Sequence, residues 1–159
     1  MRRLPATFAV LSTCAAVVAL VAGPASAHDG GGRDDRGSHD GAEFEVELTG
    51  SSVGGPILAG ATAGGRPWVI TRGEAELDDG ILTVAIAGLV IPPGGTNPVA
   101  SLSVSVVCGN VIAATTATVP FSPTGDASVS QAVTVPSDCA APQVLVHPGA
   151  NTRVYIAFG

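Results

Sequence analysis

The feature that most restricts the fold is an alternation of apolar and polar residues with period two. Glu43, Glu45 and Glu47 alternate with Phe44, Val46 and Leu48, which makes a strand with one wet and one buried face. Ala75 and Leu77 alternate with Glu74, Glu76 and Asp78, and Asp78-Asp79-Gly80 leads into a second apolar run from Ile81. An Asp-Gly pair between two such runs predicts a hairpin. Leu102, Val104 and Val106 alternate with Ser101, Ser103 and Ser105. Cys108 falls in phase with that apolar set, so its sulfur is expected to face the core. Residues 111–119, 127–135, 143–147 and 152–158 are further candidate strands. Turns are marked by Pro92-Pro93-Gly94-Gly95, Pro123-Thr124-Gly125-Asp126, Pro136-Ser137-Asp138 and Pro148-Gly149-Ala150-Asn151. The pattern predicts an all-β fold, an antiparallel immunoglobulin-like (Greek-key) sandwich of seven to nine strands over residues 42–159.

Composition agrees with a packed chain. Of the 159 residues 46% are hydrophobic and 13% charged, well under the charge content of about 25% usual in globular domains. Disorder has the opposite signature, low hydrophobicity with high charge. The seven basic residues are all Arg and the formal net charge is −6, which disfavours nucleic acid as a partner because phosphate contacts need clustered cations. Aromatic residues make up 4%, so small β-branched and Ala side chains build the core, with Trp68 as its single large anchor.

Residues 1–27 have the anatomy of a signal peptide: Arg2-Arg3, an apolar run, and Ala25-Ser26-Ala27 as a small-x-small cleavage pattern. The apolar run falls short of the roughly 20 residues a spanning helix needs, so the mature chain is expected to be secreted without a membrane anchor. Loss of Arg2 and Arg3 takes the formal charge from −6 to −8. Cys14 leaves with the signal, and Cys108 and Cys139 remain, which in an exported chain predicts one disulfide. Residues 28–41 offer no apolar side chain to bury and are expected to form a flexible Gly/Asp/His leader.

Candidate chemistry is sparse. Cleavage after Ala27 would give His28 a free α-amine beside its imidazole, two nitrogens that suit Cu(II). A second imidazole from His39 or His147 would complete a three-nitrogen set, with Tyr155 near its axial side. This resembles the histidine brace of copper-dependent lytic polysaccharide monooxygenases and of small copper-carrier proteins, which are also secreted β-sandwiches. A solvated leader is the plainer reading of the same residues, and no metal or cofactor is assigned. Gly50-Ser51-Ser52-Val53-Gly54 matches the G-x-S-x-G string of serine hydrolases, but that motif needs a following helix, and none is predicted. His147 is the one candidate base in the folded region. Without Lys a P-loop is excluded. Should the strands holding Glu43–Glu47 and Glu74–Asp78 pair, their carboxylates would face one another and repel, and a Ca²⁺ ion would relieve that.

Gly73-x-Ala75-x-Leu77 followed by Leu82-x-Val84-x-Ile86-x-Gly88-Leu89 resembles the strand pair of superoxide-dismutase-like and chordin-type sandwiches; the histidine motif of the dismutases is missing, and their chemistry does not carry over. Val154-Tyr155-Ile156-Ala157-Phe158 and the acidic composition are similar to the neocarzinostatin-type apoproteins, small secreted carriers of an apolar chromophore. Pro67-Trp68-Val69-Ile70, Gly88-Leu89-Val90, Asn97-Pro98-Val99, Pro120-Phe121-Ser122, Gly125-Asp126-Ala127 and Cys139-Ala140-Ala141-Pro142 resemble recurring pieces of uncharacterised small secreted β-sandwich proteins of high-GC actinobacteria. That likeness implies a fold and a location rather than an activity. The expectation is a secreted, non-enzymatic binding or cell-surface/matrix component. The alternatives are a carrier of a small apolar ligand and a copper-binding protein acting through His28.

Overall fold

The computed structural model describes residues 42–159, so the signal peptide, the leader, His28 and His39 lie outside the described residues. The described residues form strands and turns, with no helix among them. In chain order the strands are β1 (Phe44–Glu47), β2 (Thr49–Gly50), β3 (Thr62–Ala63), β4 (Arg72–Asp78), β5 (Ile81–Ala87) and β6 (Ser101–Cys108). They continue as β7 (Val111–Thr115), β8 (Val119–Pro120), β9 (Ala127–Ala132), β10 (Gln143–Pro148), β11 (Val154–Tyr155) and β12 (Ala157–Phe158). One sheet has the order β1-β4-β5-β9, and a second has the order β2-β12-β10-β6-β7 with β8 also paired to β6. Both are antiparallel; β3 and β11 form a separate short parallel pair.

The alternating segments fall where the pattern places them. In β4 and β5, Ala75, Leu77, Leu82, Val84 and Ile86 are buried while Glu76, Asp78, Thr83 and Ala85 are exposed. The two strands meet in a tight turn, with Asp78 opposite Ile81 and positive φ at both Asp79 and Gly80. Positive φ at both central residues is the conformation a two-residue hairpin needs, and Gly adopts it freely while Asp tolerates it.

The inward residues of both sheets meet in one apolar cluster. Leu77, Leu82, Val84, Ile86 and Val129 come from the first sheet, Leu102, Val104, Val106, Val144 and Val146 from the second, and Trp68 and Phe121 join them from outside the two sheets. Two sheets sharing one core is the layer arrangement of a sandwich.

The second sheet is also covered on its outer side. Val107, Leu145 and Tyr155 pack there with Ala61, and Leu58, Ala59 and Ala63 lie against them. The chain between β2 and β4 therefore crosses this face. Tyr155 Oη fastens it by donating to Pro56 O at 2.6 Å, and Asn110 Oδ1 accepts from Ala59 N at 3.1 Å. The Ser side of β6 is accordingly buried along with its apolar side, Ser103 and Ser105 being 1% and 0% exposed. Burial is tolerable there because both hydroxyls are paired: Ser103 Oγ donates to Gly149 O at 2.7 Å, and Ser105 Oγ bonds Thr115 Oγ1 at 2.8 Å.

Cys108 and Cys139 form the disulfide. Cys108 sits half-buried at the end of β6, as does Cys139 in its loop.

Candidate functional site

His147 is the first of the sequence candidates to be placed. It stands on β10 opposite Ser103, on the covered face of the second sheet, and is 0% exposed. Its Nδ1 lies 2.7 Å from Val154 O and its Nε2 lies 2.9 Å from Ser105 Oγ. A carbonyl oxygen only accepts, so Nδ1 carries the proton, and the bare Nε2 accepts from the Ser105 hydroxyl. Ser105 Oγ in turn accepts from Thr115 Oγ1. Burial pushes the imidazole below its ordinary value, against the smaller raising effect of the Val154 carbonyl. The Ser–His contact has the composition of a nucleophile–base pair, yet both partners are sealed from solvent, and both ring nitrogens are occupied. As placed, His147 offers neither a lone pair to a metal nor a reachable base to a substrate.

The G-x-S-x-G segment does not form a nucleophile elbow. Gly50 ends β2, Ser51 is buried, and Ser52 opens a turn in which its carbonyl accepts from Gly55 N at 3.1 Å. A turn and an extended stretch follow it, where the elbow requires a helix.

The facing carboxylates do occur. β1 pairs with β4 so that Glu45 stands opposite Glu76 and Glu47 opposite Glu74. Arg72 relieves one end, its guanidinium donating to Glu74 Oε1 at 2.9 Å and Oε2 at 3.1 Å. At the other end carboxylate oxygens of Glu43, Asp78 and Asp79 lie within 4.8 Å of one another, all three residues exposed. Like charges opposed on a wet sheet face are solvated and mildly repulsive.

A concave feature with a mainly apolar lining lies elsewhere, at Trp68. An open cleft of about 330 Å³ is lined by Gly64, Gly65, Arg66, Trp68, Ile91, Pro148, Val154 and Ile156. The Trp68 main chain is clamped: its N–H donates to Ser51 O at 2.8 Å, and the next residue, Val69, exchanges both backbone bonds with Val90 at 2.9 Å. A Cβ at Gly50 would collide with the Trp68 carbonyl, so only Gly permits this approach. Gly64 and the Val154–Ile156 segment are held together by Gly64 N donating to Tyr155 O at 2.9 Å and by the β3–β11 pairing. Trp68 is 7% exposed and belongs to the core cluster, and its Nε1 edge lies beside Gly64. Gly64 keeps that edge open, since a Cβ there would sit 3.2 Å from Trp68 Nε1. Nε1 makes no hydrogen bond to the described residues and is not among their sealed unpaired atoms, which comprise Ser51 Oγ alone.

Sequence reasoning assigns Trp68 to the core, which its burial bears out, and misses the cleft. The signal that points to it is the run Gly64-Gly65-Arg66-Pro67 before the chain's one Trp, a stretch that strips side chains from beside the largest ring. No protein-family model, curated protein or solved structure matches this chain.

Proposed function

We propose that the protein is a secreted, non-enzymatic binding module, a cell-surface or matrix component whose contact site is the Trp68 cleft. The observation that carries this reading is the contrast between two places in the fold. The Ser105–His147 pair, which has reactive chemistry, is sealed and fully hydrogen-bonded. The cleft, which is open, is lined by Gly, Pro, aliphatic residues, Trp68 and Arg66, a set that recognises shape and polarity and contains no nucleophile or general base.

The disulfide fits an oxidising, extracellular setting, and no helix of the described residues is long and apolar enough to cross a membrane. The scaffold is read as an immunoglobulin-like Greek key. Take β4, β5, β6, β7, β9, β10 and β12 as first to seventh. One sheet then contains first–second–fifth and the other seventh–sixth–third–fourth. That order supports the reading, with β1 and β2 as added edge strands.

The test is a titration of the ¹⁵N-labelled secreted protein with a panel of small neutral and charged apolar compounds. Shifts confined to the Gly64 and Gly65 amides and the Trp68 indole, with every compound recovered unchanged, are expected. A panel that leaves those resonances still overturns the binding site. Hydrolysis of p-nitrophenyl acetate that is abolished by His147→Gln overturns the non-enzymatic reading.

A further inference from the structure

The geometry points to a specific ligand class for the cleft, a small carboxylate with an apolar body; the inference rests on the binding reading above and narrows it. The side-chain polar groups offered to a ligand there, Trp68 Nε1–H and the Arg66 guanidinium, are donors. Trp68 Nε1–H is donor-only, belongs to a side chain more than nine-tenths buried, has no partner among the described residues, and opens beside Gly64. Arg66 is exposed at the rim and, among the described residues, makes neither a hydrogen bond nor an ion pair with a carboxylate. It is a permanent cation with donors and no acceptor.

The carbonyls of residues 154–156 each already accept a hydrogen bond. Val154 O receives the His147 proton, Tyr155 O receives Gly64 N–H, and Ile156 O receives Ser51 N–H. A ligand is therefore asked to supply acceptors and negative charge at one end. A carboxylate does both, with two oxygens for two donors. Its other end would lie against Ile91, Val154 and Ile156, where removal from water is the driving force. The volume of about 330 Å³ is at the small end of ligand pockets, which suits one ring or a short alkyl chain. Sugar stacking is disfavoured by the 7% exposure of Trp68, too little surface for a stacking platform.

The experiment follows the single indole N–H resonance, unambiguous because the chain has one Trp, during titration with phenylacetate and separately with phenylacetamide. The amide keeps the ring and a carbonyl acceptor but lacks the charge. Saturable downfield movement with phenylacetate, at an affinity about fivefold above that of the amide, is expected from one exposed charge pair. Arg66→Gln should erase that ratio by bringing phenylacetate's affinity down to that of the amide. Trp68→Phe, followed through the Gly65 amide, should weaken both compounds. Equal affinities for the two, or a ratio that survives Arg66→Gln, overturns the carboxylate assignment and leaves the binding reading standing. Binding of neither compound also overturns it, and the compound panel above then decides whether the cleft binds anything.

Discussion

A buried histidine is where single residues of this protein speak most clearly. His147 is neutral in the fold, with its proton on Nδ1 toward Val154 O, and burial holds its pKa under the 6.5 it has when unfolded. Above that value both states are neutral and the residue adds no pH dependence. As pH falls through 6.5 the unfolded chain takes up a proton that the folded one refuses, so stability must decline on acidification until the folded value is reached. Urea midpoints measured from neutral to mildly acidic pH should fall for the native chain, and His147→Gln should flatten that part of the curve. Residue-level repulsion is testable on the opposite sheet. Glu45 faces Glu76 across β1 and β4, so Glu76→Lys replaces a like pair by an opposite one. It should raise stability by about 0.5 kcal/mol at low salt, and less at high salt, as read by thermal unfolding.

Among the elements, alternation made the strands legible wherever one face meets water, as in β1, β4 and β5. It is silent where both faces are covered. The second face of β6 carries Ser103 and Ser105 and looks wet in sequence, but the β2–β4 crossing and the hydroxyl network make it interior. Residues 111–119 look like one strand and divide into β7 and β8. Thr116 Oγ1 takes the Val104 amide proton at 3.0 Å and interrupts the ladder. Residues 152–158 divide as well, β11 lying parallel to β3 and β12 antiparallel to β10. Long-range partners decide such breaks, and no local pattern encodes them.

Two connections carry measurable weight. The disulfide closes a loop of 31 residues, worth about 3.7 kcal/mol in the chain-entropy model, so Cys108→Ser with Cys139→Ser should lower unfolding stability by about 2–4 kcal/mol. Gly125 has φ +83, and a Cβ there would land on the Leu89 backbone. Its carbonyl also accepts from Leu89 N at 2.9 Å, while Asp126 Oδ1 accepts from Gly88 N at 3.0 Å. Gly125→Ala should cost about 2 kcal/mol or more, visible as a reduced denaturation midpoint.

At the scale of the whole molecule, the all-β class and the disulfide follow from alternation, turn residues and two remaining cysteines. The cleft does not, because it is assembled from residues 64–68, Ile91, Pro148 and the β11–β12 segment, which are remote in sequence and share no motif. A doubly covered sheet at the heart of the fold holds one Trp edge open at a less protected margin. Amide hydrogen exchange read residue by residue checks this arrangement. The slowest amides should be those of β6 and β10 around Val104, Val106, Val144 and Val146, since these two strands contribute residues to both apolar clusters, while Gly65 and Arg66 exchange among the fastest. Exchange in β6 and β10 as rapid as in the edge strand β1, or a slow core centred on residues 64–68, would contradict it.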